Sequence, residues 1–232
     1  MTGGEKGGVP MEVEVSGIRK SYSKKTVLED ISFSVERGSC VGILGSNGSG
    51  KSTLLSILAG VRRADGGSFF YQGADLLRHP GQIPKVLGYV PQGDPLIEEL
   101  NAWDNLRLWH DRKTLQRELK DGALGMLGID SFLKTPVHRM SGGMKKRLSI
   151  GCAVASHPEI LVLDEPSAAL DLVCKESIYR YLQAYKAAGG MVLLTTHDVQ
   201  DLEMCNACYV LKNGKLQSYQ YDGDFHKLAE EL

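Results

Sequence analysis

The chain has 232 residues, 42% hydrophobic and 24% charged, with a formal net charge of −1. That length allows one large domain, or a domain carrying a helical insertion, and the composition is that of an ordinary globular protein. The balanced charge gives no basic field for nucleic acid and no acidic tail, and no apolar run approaches the roughly 18 to 20 residues a membrane span needs.

Residues 1–10 are Gly-rich, with Glu5 and Lys6 and no apolar centre, and read as a flexible leader, not a signal peptide. The chain is therefore expected in the cytosol unless a partner brings it to a membrane. Residues 11–15 alternate with charges and predict an edge strand. Ile31, Phe33 and Val35 repeat at period two and predict a second, half-buried strand. The apolar run Cys40-Val41-Gly42-Ile43-Leu44 predicts a third, followed by a Gly-rich loop and a helix carrying Leu54, Leu55, Ile57 and Leu58. Residues 69–71 and 87–90 predict short strands between Gly and Pro punctuation.

From about 94 to 157 helical runs replace strands, at 103–119, 123–127 and 142–155. Strands return at 160–163, a continuous apolar run ended by Asp164, the pattern of a buried parallel strand. A helix at 172–188 closes on Gly189-Gly190. A strand at 191–195, a helix at 199–205 and a strand at 209–211 follow, the last leading into an Asn213-Gly214 turn. The sum is an α/β nucleotide-binding core with a parallel sheet, a small N-terminal antiparallel β region and a helical subdomain at about 94–157 inserted between strands. Residues 11–232 then form one domain after the leader. Five scattered cysteines fit reduced thiols better than a disulfide framework. Cys205-Asn206-Ala207-Cys208 lacks a second ligand pair, and a helix-to-strand turn is preferred to redox or metal work.

Gly45-Ser46-Asn47-Gly48-Ser49-Gly50-Lys51-Ser52-Thr53 fits G-x-x-x-x-G-K-[ST] between a strand and a helix. A triphosphate is a dense anion, so its site needs many donors at close range. Gly45, Gly48 and Gly50 let the backbone curl its N–H groups towards a β-phosphate at the positive end of the helix. Lys51 adds a point charge for the β- and γ-phosphates, and the Ser52 hydroxyl suits Mg²⁺. Asp164 and Glu165 end the strand at 160–163. Asp164 suits the Mg²⁺ shell, generally through water. Glu165 suits a general base acting on the attacking water. Alone, such a pair is often a loop cap; the loop at 45–53 favours the chemical reading. His197 is either a structural hydrogen-bonder or a γ-phosphate contact. Gln92, after Tyr89-Val90-Pro91, is either a turn residue or a partner of Mg²⁺ or the water.

Met140-Ser141-Gly142-Gly143-Met144 opens the helical run at 142–155. Ser141 is a natural N-cap. Gly142 and Gly143 weaken a helix, and make sense where backbone N–H groups meet an anion closely. The chain's own γ-phosphate is already enclosed by the first loop, so that anion belongs to a second molecule.

In this order the residues resemble the ATP-binding subunit of an ABC (ATP-binding cassette) transporter, over about residues 13–216. Residues 45–53 are similar to the Walker A loop, 160–165 to the Walker B strand, Gln92 to the Q-loop and His197 to the switch histidine. Ser167-Ala168-Ala169-Leu170-Asp171 resembles the D-loop and 140–144 the signature L-S-G-G-Q. Tyr22 stands where the family places an aromatic ring against adenine. The resemblance implies a P-loop NTPase fold with ATP and Mg²⁺ as cofactors, and Glu165, His197 and Gln92 as catalytic residues. It implies nucleotide binding by 45–53, Tyr22, Ser141, Gly142 and Gly143, and metal binding by Ser52, Gln92 and Asp164. Two cassettes, identical or related, would close head to tail over ATP and drive separate transmembrane permease subunits from the cytoplasmic face of a membrane.

Two departures qualify the match. Met144 and Met140 replace the signature's Gln and Leu, so no amide reaches the nucleotide from position 144. The form S-G-G-M-K-K-R-L resembles cassettes of the ABC-2 type export branch and points to export. Residues 134–139 lack the acidic cluster of exporters with fused membrane domains, which points to a separate permease. Residues 95–100 lie where the family meets that permease, unless they serve ordinary packing. The alternative is a soluble ABC ATPase acting on DNA or ribosomes. Such relatives usually carry coiled-coil or zinc insertions or two cassettes, and nucleic acid is not expected here. An inactive regulatory cassette is disfavoured because Glu165 and His197 are both present.

Overall fold

A computed structural model describes residues 12–23 and 25–223, so the leader at 1–10 and the start of the strand expected at 11–15 lie outside the described residues. In chain order come β1 (Val13–Tyr22), β2 (Lys25–Val35), β3 (Cys40–Leu44), α1 (Lys51–Leu58), β4 (Gly66–Tyr71) and β5 (Ala74–Asp75). Then follow α2 (Ile83–Val86), β6 (Leu87–Val90) and four successive helices: α3 (Ala102–Arg107), α4 (Arg112–Asp121), α5 (Ala123–Met126) and α6 (Gly142–Val154). The chain continues through β7 (Ile160–Asp164), α7 (Leu172–Ala187), β8 (Met191–Thr195), α8 (Val199–Met204), β9 (Ala207–Lys212) and β10 (Lys215–Tyr219).

Two sheets result. One is antiparallel, in the order β2-β1-β4-β5. The other runs β10-β9-β3-β8-β7-β6, parallel except for the β10 edge. Strands β3, β7 and β8 are buried at all five positions, which explains their unbroken apolar runs: both faces of the sheet are covered. Alternation decides which core each side chain joins. Ile160, Val162, Met191 and Leu193 face one core, with α1 and the antiparallel sheet. Leu161, Leu163, Val192 and Leu194 face the other, with α3 to α7.

Three elements differ from the sequence reading. The strand expected at the edge is interior, because β1 pairs with β2 on one side and β4 on the other. Its alternation breaks at Gly17, which sits at φ 62° within the register shift between Val15 and Ile18. The helical run expected at 103–119 is two helices. Asp111 restarts it by accepting hydrogen bonds from the Lys113 and Thr114 N–H groups at 2.8 and 3.1 Å, the geometry of an N-cap. The Asn213-Gly214 turn leads into β10, a strand the sequence reading lacked. Both turn residues have positive φ, 52° and 77°, and Lys212 pairs with Lys215, as in a two-residue hairpin of the primed type. Cys205 ends α8 and Cys208 lies on β9, the helix-to-strand turn expected. No helix among the described residues is long and apolar enough to cross a membrane.

Buried Glu118 on α4 fastens the helices together. It accepts from the Ala123 N–H at 3.1 Å, from Arg117 Nε at 3.1 Å and lies 2.8 Å from His157 Nε2. Burial raises its carboxyl pKa, but the hydrogen bonds from His157, Ala123 and Arg117 outweigh that and hold it below the ordinary glutamate range. A depressed folded pKa contributes stability that is complete above the unfolded value of about 4.3 and is lost as pH falls through the folded one. Glu118→Gln is therefore expected to flatten the acid limb of melting temperature against pH. An unchanged limb would assign that slope to other carboxylates.

Candidate functional site

The site lies where four adjacent strands, β3, β8, β7 and β6, end at their carboxyl edge. After β3 the chain turns through Gly45, Gly48 and Gly50 at φ 156°, 79° and 112°. A Cβ on Gly45 would stand 2.6 Å from the Leu211 carbonyl oxygen, and one on Gly50 2.9 Å from Val27. Gly48 has open space around it, and Ser46 and Asn47 are exposed. No side chain caps α1, so its first N–H groups are left for an anion. Ser49 Oγ is buried without a hydrogen-bond partner, a second sign that the loop is shaped for a ligand.

Lys51 is buried at the start of α1. Its Nζ donates to the Gly45 and Ser46 carbonyls at 2.5 and 3.2 Å and lies 3.1 Å from His197 Nε2. Burial lowers its pKa, while Glu165 and Asp164 pull it back up. His197 Nε2 is also 3.2 Å from Glu165 Oε1, and Gln92 Nε2 donates to Glu165 Oε2 at 2.9 Å. One polar line thus runs Lys51–His197–Glu165–Gln92 across the four strand ends. A single ring nitrogen faces both an ammonium and a carboxylate. With its lone pair free it accepts from Lys51; carrying a proton it donates to Glu165; it cannot do both. Burial, and then the Lys51 charge, lower the His197 pKa against the opposing pull of Glu165.

Thr195, at the end of β8, fixes both acids. Its hydroxyl donates to Asp164 Oδ1 at 2.5 Å and accepts from the Glu165 N–H at 3.1 Å. Glu165 itself sits at φ 52°, a left-handed conformation that costs a non-glycine residue about 1 to 2 kcal/mol. Ser52, Gln92 and Asp164 line one cleft of about 840 Å³. A hydroxyl, an amide and a carboxylate are the hard oxygen donors Mg²⁺ takes, so these residues fit the ion. Tyr22 is not joined to the loop at 45–53. Its ring lies 5.5 Å from Lys20 Nζ and 5.9 Å from Arg62 Cζ, and its hydroxyl accepts from Arg62 at 3.0 Å.

Ser141 caps α6, accepting from the Met144 N–H at 3.3 Å. Ser141 and Gly142 are exposed, and Gly142 has nothing within 4 Å of a notional Cβ. Gly143 is different: a Cβ there would lie 2.2 Å from Cys174 Sγ. Helix packing alone therefore accounts for Gly143, and only Gly142 keeps the expectation that a ligand must approach. Met144 packs partly buried against the helical core. Among the described residues no hydrogen bond or ion pair recorded for Ser141, Gly142 or Gly143 reaches residues 45–53.

Sequence reasoning did not single out Thr195 or Lys146. Lys146 Nζ donates to the Gln92 carbonyl at 3.2 Å and pairs with Asp94 Oδ1 at 3.1 Å. The signal lay in helical phase, because Lys146 shares the buried face of Gly143 and Ile150.

The model of the ABC transporter family matches residues 28–168, which hold the Gly-rich loop, Gln92, the Ser141 helix and the Asp164-Glu165 strand end. The chain belongs to the ABC transporter family. It is 34% identical over 208 residues to the Nod factor export ATP-binding protein I of Ralstonia nicotianae, covering 88% of this chain and 65% of that relative. The chain thus spans just under two thirds of that protein's length. A solved ATP-binding subunit of an ABC transporter is 28% identical, with a TM-score of 0.81 over 94% of this chain and 93% of that one. The dimeric post-hydrolysis structure of the ATP-binding cassette MJ0796, bound to ADP and Pi, also has a TM-score of 0.81, over 91% of this chain and 100% of that one. At 24% identity it speaks for the fold alone. The ABC fold is thus that of a P-loop NTPase, α/β with an N-terminal antiparallel sheet.

In this cassette Lys146→Met would strand the Asp94 carboxylate and the Gln92 carbonyl. A loss of about 1 to 3 kcal/mol is expected in chemical denaturation. A midpoint equal to wild type would mean that water replaces the ammonium at no cost.

Proposed function

We propose that the chain binds and hydrolyses ATP as the cassette subunit of a transporter, powering export through separate transmembrane subunits. The line Lys51–His197–Glu165–Gln92 carries this reading, because it sets a phosphate-binding cation, a base and two orienting groups side by side. Lys51 exchanges the Gly45 and Ser46 carbonyls for phosphate oxygens, and the N–H groups of residues 45–53 surround the β-phosphate. Tyr22 offers its ring to adenine. Ser52, Gln92 and Asp164 would hold Mg²⁺, which supplies charge neutralisation on the phosphates. Glu165 accepts the proton of the attacking water. Gln92 and His197 orient that water and the carboxylate. To exchange Lys51 for a γ-phosphate oxygen, His197 Nε2 must carry a proton and donate it, which the neutral ring does in its Nε2–H tautomer.

Ser141, Gly142 and Gly143 serve a second cassette, identical or related, whose nucleotide they approach from outside. The exposure of Ser141 and Gly142 at the start of α6 supports that role, and Gly143 lets the helix start pack against Cys174. The helices at about 94–157 form a subdomain. The cleft between them and the core, with Tyr89, Pro91, Leu96 and the 70% exposed Trp109 on its walls, suits docking of a transmembrane permease. Residues 95–100 take part there. The chain then sits peripherally on the cytoplasmic face of its membrane. Export is favoured by S-G-G-M-K-K-R-L at 141–148 and by the similarity to a protein named for Nod factor export. The alternative of a soluble ATPase acting on nucleic acid or ribosomes draws no support from these relatives or from the net charge of −1.

Glu165→Gln is expected to lower ATP turnover at least about a hundredfold, the usual worth of a general base, while ATP binding persists and an ATP-bound dimer accumulates on size exclusion. Wild-type turnover would remove Glu165 from its role. Ser141→Arg is expected to abolish turnover and leave ATP binding by the monomer intact in titration calorimetry. Surviving hydrolysis would sink the claim that the half-site is lent to a neighbour.

A further inference from the structure

Asp201 lies on α8 outside every motif and is 0% exposed. An acid so deep needs donors, and two hydroxyls supply them to one of its oxygens. Ser167 Oγ donates to Asp201 Oδ2 at 2.7 Å, and Thr196 Oγ1 donates to the same oxygen. Ser167 stands two residues beyond Glu165, and Thr196 immediately precedes His197. The two loops that carry the hydrolytic pair therefore meet on one carboxylate oxygen. The Thr196 hydroxyl also accepts from the Asp198 N–H at 2.8 Å, so the clasp extends into the capped start of α8.

We propose that Asp201 is a positioning residue for ATP hydrolysis: by holding Ser167 and Thr196 together it fixes the spacing between Glu165 and His197. This rests on the hydrolytic reading given above. Glu165 is held in a strained left-handed conformation, and such a backbone persists only where its surroundings over-determine it. The Thr195 contacts fix it from one side, and the Ser167–Asp201–Thr196 clasp fixes the chain that follows it. Burial raises the Asp201 carboxyl pKa, an energetic cost that docking α8 alone does not require, since an apolar residue would pack there without it. The clasp also places Ser167, the first residue of the D-loop segment, under the same control as His197. A shift of the one loop is thereby transmitted to the other.

The test is a double-mutant cycle on the full chain with Asp201→Ala, Ser167→Ala and the pair, beside Asp201→Asn, which keeps an acceptor oxygen. Steady-state kinetics are expected to show kcat lowered roughly ten- to a hundredfold in Asp201→Ala, in the range of a disturbed positioning contact, with KM within about twofold of wild type. Asp201→Asn is expected to restore most of that loss, and Ser167→Ala to add little once Asp201 is gone. The ring ¹H and ¹⁵N signals of His197, read by NMR without nucleotide, are expected to shift in Asp201→Ala and to return in Asp201→Asn. Those signals need no turnover, so a wild-type chain that fails to hydrolyse ATP would refute the functional reading while they still judge Asp201. Unmoved signals with wild-type kcat would overturn the proposal. So would equal losses in the Ala and Asn variants with fully additive Ser167 effects, the mark of a purely structural acid. If Asp201→Ala does not fold, Ser167→Ala and Asp201→Asn carry the same readouts.

Discussion

The structure depends on three five-residue strands, β3, β8 and β7, that are buried on both faces and hydrogen-bonded on both edges. Ladders on both edges engage their backbones sideways, and their side chains are buried above or below. The only free direction is along the strand, so chemistry can appear only where the strands end. The Gly-rich loop, Asp164, Glu165 and His197 all occupy such ends, and Gln92 joins them from β6. The parallel register brings residues distant in sequence to one edge: Asp164 pairs with Thr195, and Ile43 also with Thr195 across β3 and β8.

At that edge the charges are arranged for exchange more than for rest. An ammonium is buried among carbonyls, a histidine nitrogen lies between ammonium and carboxylate, and a carboxylate is held at positive φ. Such a site suits an anion, because an ammonium paired with a phosphate oxygen gains charge on both partners, where a carbonyl offers it on one only. The hydroxyls of Thr195, Thr196 and Ser167 do quieter work, holding the acids at fixed spacing through Asp164, Glu165 and Asp201.

The second Gly-rich segment acquires a mixed explanation. Gly143 is needed because Cys174 leaves no room for a Cβ, whereas Gly142 faces open space. Met144 lies against the helical core, so an apolar side chain in place of the family's Gln has a packing reason within its own chain. Lys146, one helical turn inward, ties the same helix to the carbonyl of Gln92. The exposed start of α6 and the Gln92 backbone are thus mechanically joined through one helix.

The sequence alone determined the elements whose residues answer to local rules. The apolar runs of β3, β7 and β8 announce burial on both faces, the capping Ser141 announces α6, and the loop at 45–53 carries its phosphate chemistry in spacing. The ABC resemblance followed from the order of those motifs. Elements set by distant partners were not legible. Whether β1 lies at an edge depends on β4, some fifty residues away in the chain, and alternation carries no record of a neighbour. The break at Asp111 competes with a helical period that runs across it, and β10 exists because β9 offers it an edge. Asp201, Thr195 and Lys146 were hidden for the same reason, because a polar residue's worth depends on which donors converge on it in space. Sequence fixes the chemistry each residue can offer; only the tertiary structure decides which offers meet, because a hydrogen bond has a range of about 3 Å and no signature along the chain.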